Sequence, residues 1–163
     1  MDAVTPKPGS SMERVARDAE RLGLQIGLRV MDQSTRTAEE AAAACGCAVG
    51  QIVKSLVFEN AATGALVLLL VSGDRNADLD YISERYGLKL KRCDGRRVRD
   101  ETGFAIGGVS PLGHKAPIAT FMDESLLGYG TVWAAAGRPD SVFSVDPKAL
   151  AAAIKPQVIA VTG

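Results

Sequence analysis

The chain holds little from which a metal site or a catalytic triad could be built. One histidine and three cysteines stand among its 163 residues. Cys45, Cys47 and Cys93 are an odd set with no framework spacing, which argues against a disulfide scaffold. With His114 they make four zinc ligands on paper, but Cys-x-Cys is a poor zinc knuckle and no second ligand pair exists. No metal and no organic cofactor is expected. A single histidine also denies the chain a recognisable set of nucleophile, base and orienting group. Excess charge is missing too: 19 basic and 19 acidic residues cancel. Any contact with nucleic acid must therefore come from a local patch and not from the global field. Long apolar runs are absent. The longest, residues 65–71, has seven residues against the roughly 20 of a membrane helix. The start of the chain, with Asp2, Lys7, Glu13 and Arg14, lacks the apolar region of a signal peptide. The expectation is a cytoplasmic protein with no membrane association.

What is present fits one domain with a substantial core, since 47% of residues are hydrophobic and 23% charged. Residues 1–9, with two prolines and a glycine, read as a disordered lead-in, leaving 10–163 for the domain. Ser10 with Glu13, and Thr37 with Glu40, match capping boxes and predict helices over 11–22 and 38–44. Alternation at Ile26, Leu28 and Val30 predicts a strand. Strands at 52–59 and 65–72 read as a hairpin across 60–64. A helix over 74–86 follows, stopped by Gly87, then an edge strand at 88–91 and a short polar helix or turn at 96–101. Further strands are expected at 118–122, 131–136, 142–145 and 158–161, with helices at 124–127 and 147–154. The class is α/β (α+β), one compact domain with a mixed, largely antiparallel β-sheet flanked by helices.

Two stretches stand out chemically. Residues 107–113 hold three glycines, a serine and a proline. Such a run can neither continue a helix nor pack as a central strand. Its backbone N–H groups either point at a phosphate or an oxyanion, or merely close a tight connection. In Gln51-Ile52-Val53-Lys54-Ser55-Leu56-Val57-Phe58 a lysine interrupts an apolar strand. Burying that ammonium is costly unless something anionic meets it; otherwise Lys54 lies on a solvent face with its stem along the sheet. Elsewhere, seven basic residues in fifteen (Arg85, Lys89, Lys91, Arg92, Arg96, Arg97 and Arg99) form the strongest charge cluster. They read either as a surface for RNA phosphates or as a solvated face neutralised by Glu84, Asp94, Asp100 and Glu101.

The Ile-Val-Lys-Ser-Leu-Val-Phe segment, the later Gly-Gly-Val-Ser-Pro-Leu-Gly segment and the stretch Val132-Trp133-Ala134-Ala135-Ala136-Gly137 together resemble the YbaK family. These are free-standing trans-editing deacylases related to the insertion domain of bacterial prolyl-tRNA synthetases. The resemblance spans about Thr37 to Ile154. It implies a YbaK-like fold and a mischarged aminoacyl-tRNA as substrate, with tRNA as partner and an aminoacyl-tRNA synthetase as a further candidate partner. Lys54 matches the family's active-site lysine, which holds the terminal adenosine phosphate or orients the aminoacyl group. Ser55 matches a position for a small hydroxyl residue that contacts the ribose. Gly107, Gly108 and Pro111 match the Gly-x-x-x-P loop whose backbone positions the water or binds the oxyanion. Ser110 either contacts the ligand or caps the turn. His114 lies outside the core of the pattern, an acid–base helper or an exposed loop residue. Lys89, Lys91, Arg92, Arg96, Arg97 and Arg99 become the expected tRNA-binding set.

At Ala135 and Gly137 the chain departs from members acting on cysteinyl-tRNA, which carry Ser-Gly-Gly followed by an aspartate. Here an apolar residue near Val142 takes that aspartate's place, with Asp140 close by. A pocket walled by alanine selects by size, so alanine, cysteine, serine or a small non-protein amino acid all remain open. The same residues equally describe a non-catalytic module that holds a nucleotide or the tRNA acceptor end. A redox or metal role for the cysteines is a third reading.

Overall fold

The most apolar stretch of the chain becomes its central strand. In the computed structural model, which describes residues 4–33, 35 and 37–163, Leu66–Ser72 is buried at every position, as a strand covered on both faces must be. Along the chain come α1 (Ser11–Arg21), β1 (Gly27–Val30) and α2 (Ala38–Cys45). The hairpin of β2 (Val53–Asn60) and β3 (Leu66–Ser72) follows, then α3 (Leu79–Tyr86), β4 (Leu90–Arg92) and α4 (Gly95–Thr102). After a long loop the chain forms β5 (Ala119–Asp123), β6 (Val132–Ala135), β7 (Ser141–Val145), α5 (Pro147–Ile154) and β8 (Gln157–Ile159).

These strands make two sheets, not the one expected: five strands in the order β4-β2-β3-β5-β8, and three in the order β1-β7-β6. Four pairings are antiparallel and two, β3 with β5 and β5 with β8, are parallel. Among the described residues their backbones pair across one isolated parallel bridge, Ile52 to Trp133, beyond which the strands part. Both capping boxes form: Ser10 Oγ and Thr37 Oγ1 accept from the N–H of Glu13 and Glu40, each at 3.1 Å. α3 starts at Leu79, later than expected. Arg75 N–H closes a turn on Ser72, and Asp78 caps the helix while its own N–H donates to Val161. α4 is a full helix capped by Asp94. Of the expected lead-in, residues 1–3 lie outside the described residues; Val4 packs against the main core.

Period-two alternation assigns the faces of the large sheet. Val53, Leu68, Leu70 and Met122 turn toward α1, Phe104 and the inner face of the small sheet (Val132, Ala134, Phe143). Leu69 and Val71, with Leu56 and Phe58 beside them, turn toward Ile82 of α3. Removing a fully buried side chain such as Phe143 costs about 3–5 kcal/mol. By the same alternation Lys54 shares the α3 side with Leu56, and Ser55 the main-core side with Val53.

Candidate functional site

The candidate site is the gap left where the two sheets part. β4 pairs only with Phe58–Asn60 of β2, so residues 53–57 have no strand partner on that edge among the described residues. β6 is likewise the edge of its own sheet. Between these edges lies a cleft of about 660 Å³. Its floor is Ile52 and the start of β2 as far as Leu56, one wall is Trp133 and Ala135 on β6, and Ala38 and Ala41 of α2 close one end. Ile106, Gly107 and Val109 form one lip, and Arg138 with Pro139 form the other.

Lys54 is half-buried, and its ammonium donates to the Arg75 carbonyl. It makes no ion pair among the described residues, so its charge is free for an anionic ligand. Ser55 Oγ is buried and lacks a hydrogen-bond partner. A hydroxyl left orphaned beside a cleft needs a partner from elsewhere.

The two glycines of the loop serve different physical needs. Gly107 has φ +95°, with nothing within 4 Å of where a Cβ would stand; its requirement is conformational. It occupies the third position of a turn that Gly108 N–H closes on the Ala105 carbonyl at 3.0 Å. That bond removes the Gly108 N–H as an oxyanion donor. The N–H groups of Gly107 and Val109 make no hydrogen bond among the described residues. Gly108 is required by space. A Cβ there would stand 3.0 Å from the Gly137 carbonyl oxygen and 3.1 Å from both Cα and N of Arg138. The two glycine turns therefore sit backbone to backbone. Gly137 in turn carries Ser11 on its other side, where Ser11 Oγ donates to the Gly137 carbonyl at 2.8 Å.

Besides Gly108, four expected residues stand away from the cleft lining. Ser110 is fully buried, and its Oγ accepts from Leu112 N–H at 3.1 Å, so it caps the turn. Pro111 is buried behind the loop. Gly137 shapes the lip through its backbone. His114 is half-buried, not exposed: Nε2 donates to the Ser110 carbonyl at 2.6 Å and the ring meets Phe104 edge-on, 5.2 Å between centroids. Burial pushes its imidazole below the ordinary value, against the pull of the Ser110 carbonyl.

Asp140 does not enter the cleft. Its carboxylate pairs with Arg138 at 2.7 Å on the β6–β7 hairpin tip, and Val142 lines the wall. Trp133, part of the 132–137 stretch but given no role in the sequence reading, and Arg138, not singled out there, both line the cleft. Alternation with Ala135 is the signal that places Trp133; Arg138, on a hairpin tip beside Pro139, carries no comparable pattern.

The basic cluster divides in two. Arg97 bonds Glu59, Glu101 and the Gly64 carbonyl, while Lys91 pairs with Glu59 at 2.8 Å. Lys91, then the Arg97 charge, holds the Glu59 carboxyl below its usual range. Arg85 lies over the Tyr86 ring. Lys89, Arg92, Arg96 and Arg99 are exposed and make no ion pair among the described residues. Burial, then the neighbouring Cys47, pushes the Cys45 thiol up to about 11, which disfavours the thiolate needed for reactivity. Among the described residues no group of three His, Cys, Asp or Glu side chains is placed to hold a metal, and no helix is long and apolar enough to cross a membrane.

The sequence model of the aminoacyl-tRNA editing domain matches residues 32–153, and the chain belongs to that family. "Uncharacterized protein YwhH" of Bacillus subtilis (strain 168) is 31% identical over 119 residues, 73% of this chain and 75% of its own length. "Putative Cys-tRNA(Pro)/Cys-tRNA(Cys) deacylase EbsC" of Enterococcus faecalis is 28% identical over 115 residues, 70% of each chain. A solved structure described as "a putative trans-editing enzyme for prolyl tRNA synthetase" superposes with a TM-score of 0.87 at 43% identity, covering 98% of this chain and 99% of that one. Family and relatives together support an aminoacyl-tRNA deacylase role.

Proposed function

We propose that the chain hydrolyses, in trans and in the cytoplasm, the ester of a mischarged aminoacyl-tRNA bearing a small amino acid such as alanine, cysteine or serine on tRNA(Pro) or a related tRNA. The observation that carries this is the meeting of Lys54, the unpartnered Ser55 hydroxyl and the Gly107 turn in one cleft. The aminoacyl ester is already activated, so the reaction needs an aligned water and a stabilised oxyanion more than a strong nucleophile. Water oxygen bonds to the ester carbonyl carbon, and the tetrahedral oxyanion then collapses. The ribose oxygen leaves with one of the water's protons, the other passes to solvent, and the amino acid departs as its carboxylate. Lys54 holds the terminal phosphate or orients the aminoacyl group, Ser55 meets the ribose, and the N–H groups of Gly107 and Val109 are the donors available to the oxyanion. With Asp140 tied to Arg138 and Ala135 beside Val142, the wall selects by size rather than by charge. Lys89, Arg92, Arg96 and Arg99 supply phosphate contacts, whereas Lys91 and Arg97 are withdrawn into the Glu59 network.

Among the described residues the cleft lining contains no histidine and no carboxylate, which favours as second reading a module that binds the acceptor end without turnover. Single-turnover hydrolysis separates the two. The panel is tRNA(Pro) carrying alanine, cysteine or serine, and tRNA(Ala) carrying serine, with wild type beside Lys54→Ala. Release of one amino acid, reduced about 10²-fold or more in the variant, is expected. Bound tRNA with no turnover across the panel refutes catalysis.

A further inference from the structure

Trp133 has no part in the mechanism above, yet it is the chain's single tryptophan and it lines the cleft. Its neighbours Val132 and Ala134 face the main core, so alternation turns Trp133 and Ala135 to the outer face of the small sheet. Arg29 lies on that same face, since both Arg29 and Ala135 are in register with Val142. Its guanidinium carbon stands 5.0 Å from the indole centroid. Arg29 makes no ion pair among the described residues. The indole thus carries a positive charge that no carboxylate offsets, at the wall of a cleft meant for a polyanion.

Position along the cleft says what such a ring could hold. Trp133 bridges Ile52, and a strand advances about 3.3 Å per residue. Lys54 and Ser55 therefore lie about 7–10 Å farther along the cleft floor from that bridge, roughly the reach of a nucleoside from its base to the ester on its ribose. A cleft of about 660 Å³ also exceeds what a small aminoacyl group fills, and is the size of a site for a whole small ligand. The unpaired edges of β2 and β6 beside the ring offer backbone donors and acceptors to a planar heterocycle.

We propose that Trp133, backed by Arg29, is the platform on which the terminal adenine of the tRNA stacks while the ester lies at Lys54 and Ser55. The proposal deepens the deacylase reading and rests on it for the ester, though not for the stack. Base–aromatic stacking tolerates any base and changes affinity by roughly ten- to a hundredfold. Trp133 and Arg29 then act on binding and not on the chemical step.

The lone tryptophan reports on its own site. Its fluorescence is followed while adenosine 5′-monophosphate is added, with ribose 5-phosphate as the control that lacks the base. Saturable quenching by the nucleotide alone is expected. No change with the nucleotide, or equal quenching by both, overturns the platform. In single-turnover hydrolysis, Trp133→Leu should raise the half-saturating tRNA concentration about tenfold while the saturated rate is kept, with Trp133→Phe retaining most of the affinity. Because Trp133 also packs on Ala41 and Ile52, Arg29→Met is the second variant, which leaves the ring in place and should weaken binding severalfold. Unchanged half-saturation in both Trp133→Leu and Arg29→Met overturns the proposal. If the nucleotide quenches but no charged tRNA is hydrolysed, the deacylase reading falls and the platform stands.

Discussion

Gly107 and Gly108 are adjacent in sequence and should respond to substitution in opposite ways. A methyl group on Gly108 would press on the Gly137 carbonyl oxygen at 3.0 Å and on Arg138 Cα and N at 3.1 Å. All three are backbone atoms, so one of the two turns must shift by a few tenths of an ångström. Overpacking of that kind costs about 1–2 kcal/mol. At about 2–4 °C per kcal/mol for a chain of this length, Tm should fall by about 2–8 °C. Because the moving backbone carries the lip of the cleft, hydrolysis should slow about three- to tenfold. Gly107 has free space but φ +95°, so an alanine there costs about 1–2 kcal/mol in backbone conformation alone. Asparagine tolerates positive φ better than alanine, so Gly107→Asn should be more stable than Gly107→Ala. At Gly108 the larger asparagine should be worse than alanine. Thermal unfolding of the four variants beside single-turnover rates measures this crossover. The same order at both positions, or a Gly108→Ala variant with wild-type Tm and rate, would refute the assignment of one glycine to space and the other to conformation.

His114 is held below its unfolded value of about 6.5 by burial, so the unfolded chain binds more protons between the two values. Its contribution is complete above about pH 6.5 and is lost as pH falls toward the depressed folded value; urea unfolding from pH 7 to 5 should show a shallower decline in His114→Gln than in wild type. For tRNA binding, Arg96→Ser and Arg99→Ser should each lower the slope of log affinity against log salt by about 0.7–0.9 per phosphate contact removed. Lys91→Ser should leave that slope unchanged while loosening Glu59; an equal fall in all three would show that the ion pairs open to bind RNA. A Cys45 thiol at about 11 is thiolate in only about one molecule in 10⁴ at pH 7. Iodoacetamide should label it far more slowly than a free thiol, and replacing all three cysteines by alanine should leave hydrolysis intact; loss of hydrolysis in that variant would revive the redox reading.

Local features of the fold were legible wherever the chemistry that fixes them is also local. Ser10 and Thr37 lie three residues before their glutamates, and both caps formed where that spacing put them. The start of α3 was misplaced because its cause is distant: Asp78 N–H is taken by Val161, which no window around Asp74 contains. The division into two sheets was hidden for the same reason. It depends on β6 bridging Ile52, just before β2, across some eighty residues of chain. Lys54, Ser55 and Gly107 were legible as site candidates because a lysine in an apolar strand and a glycine run are anomalies on their face. Ser110 and His114 were equally conspicuous, yet the structure uses them to brace the loop from behind. Polar residues beside a glycine turn look alike in sequence whether they face a ligand or the turn itself.

The parting of the sheets also answers the energetic objection to Lys54. A lysine one residue inside a fully paired central strand would have its ammonium trapped against the α3 side with no solvent. β2 is instead open along the edge of residues 53–57, so the side chain is only half-buried and a single carbonyl, Arg75, suffices to hold it. The same opening exposes strand backbone that an uninterrupted sheet would have consumed, and an unpaired edge is a liability unless something covers it. The two glycine turns cover it in part, because only glycine at 108 lets the Gly137–Arg138 tip come close enough to form the second lip. Had β6 continued to pair with β2 past Trp133, the chain would be stabilised by several more ladder bonds and would have no cleft. The lysine, the glycines and the interrupted pairing are therefore one feature of the molecule.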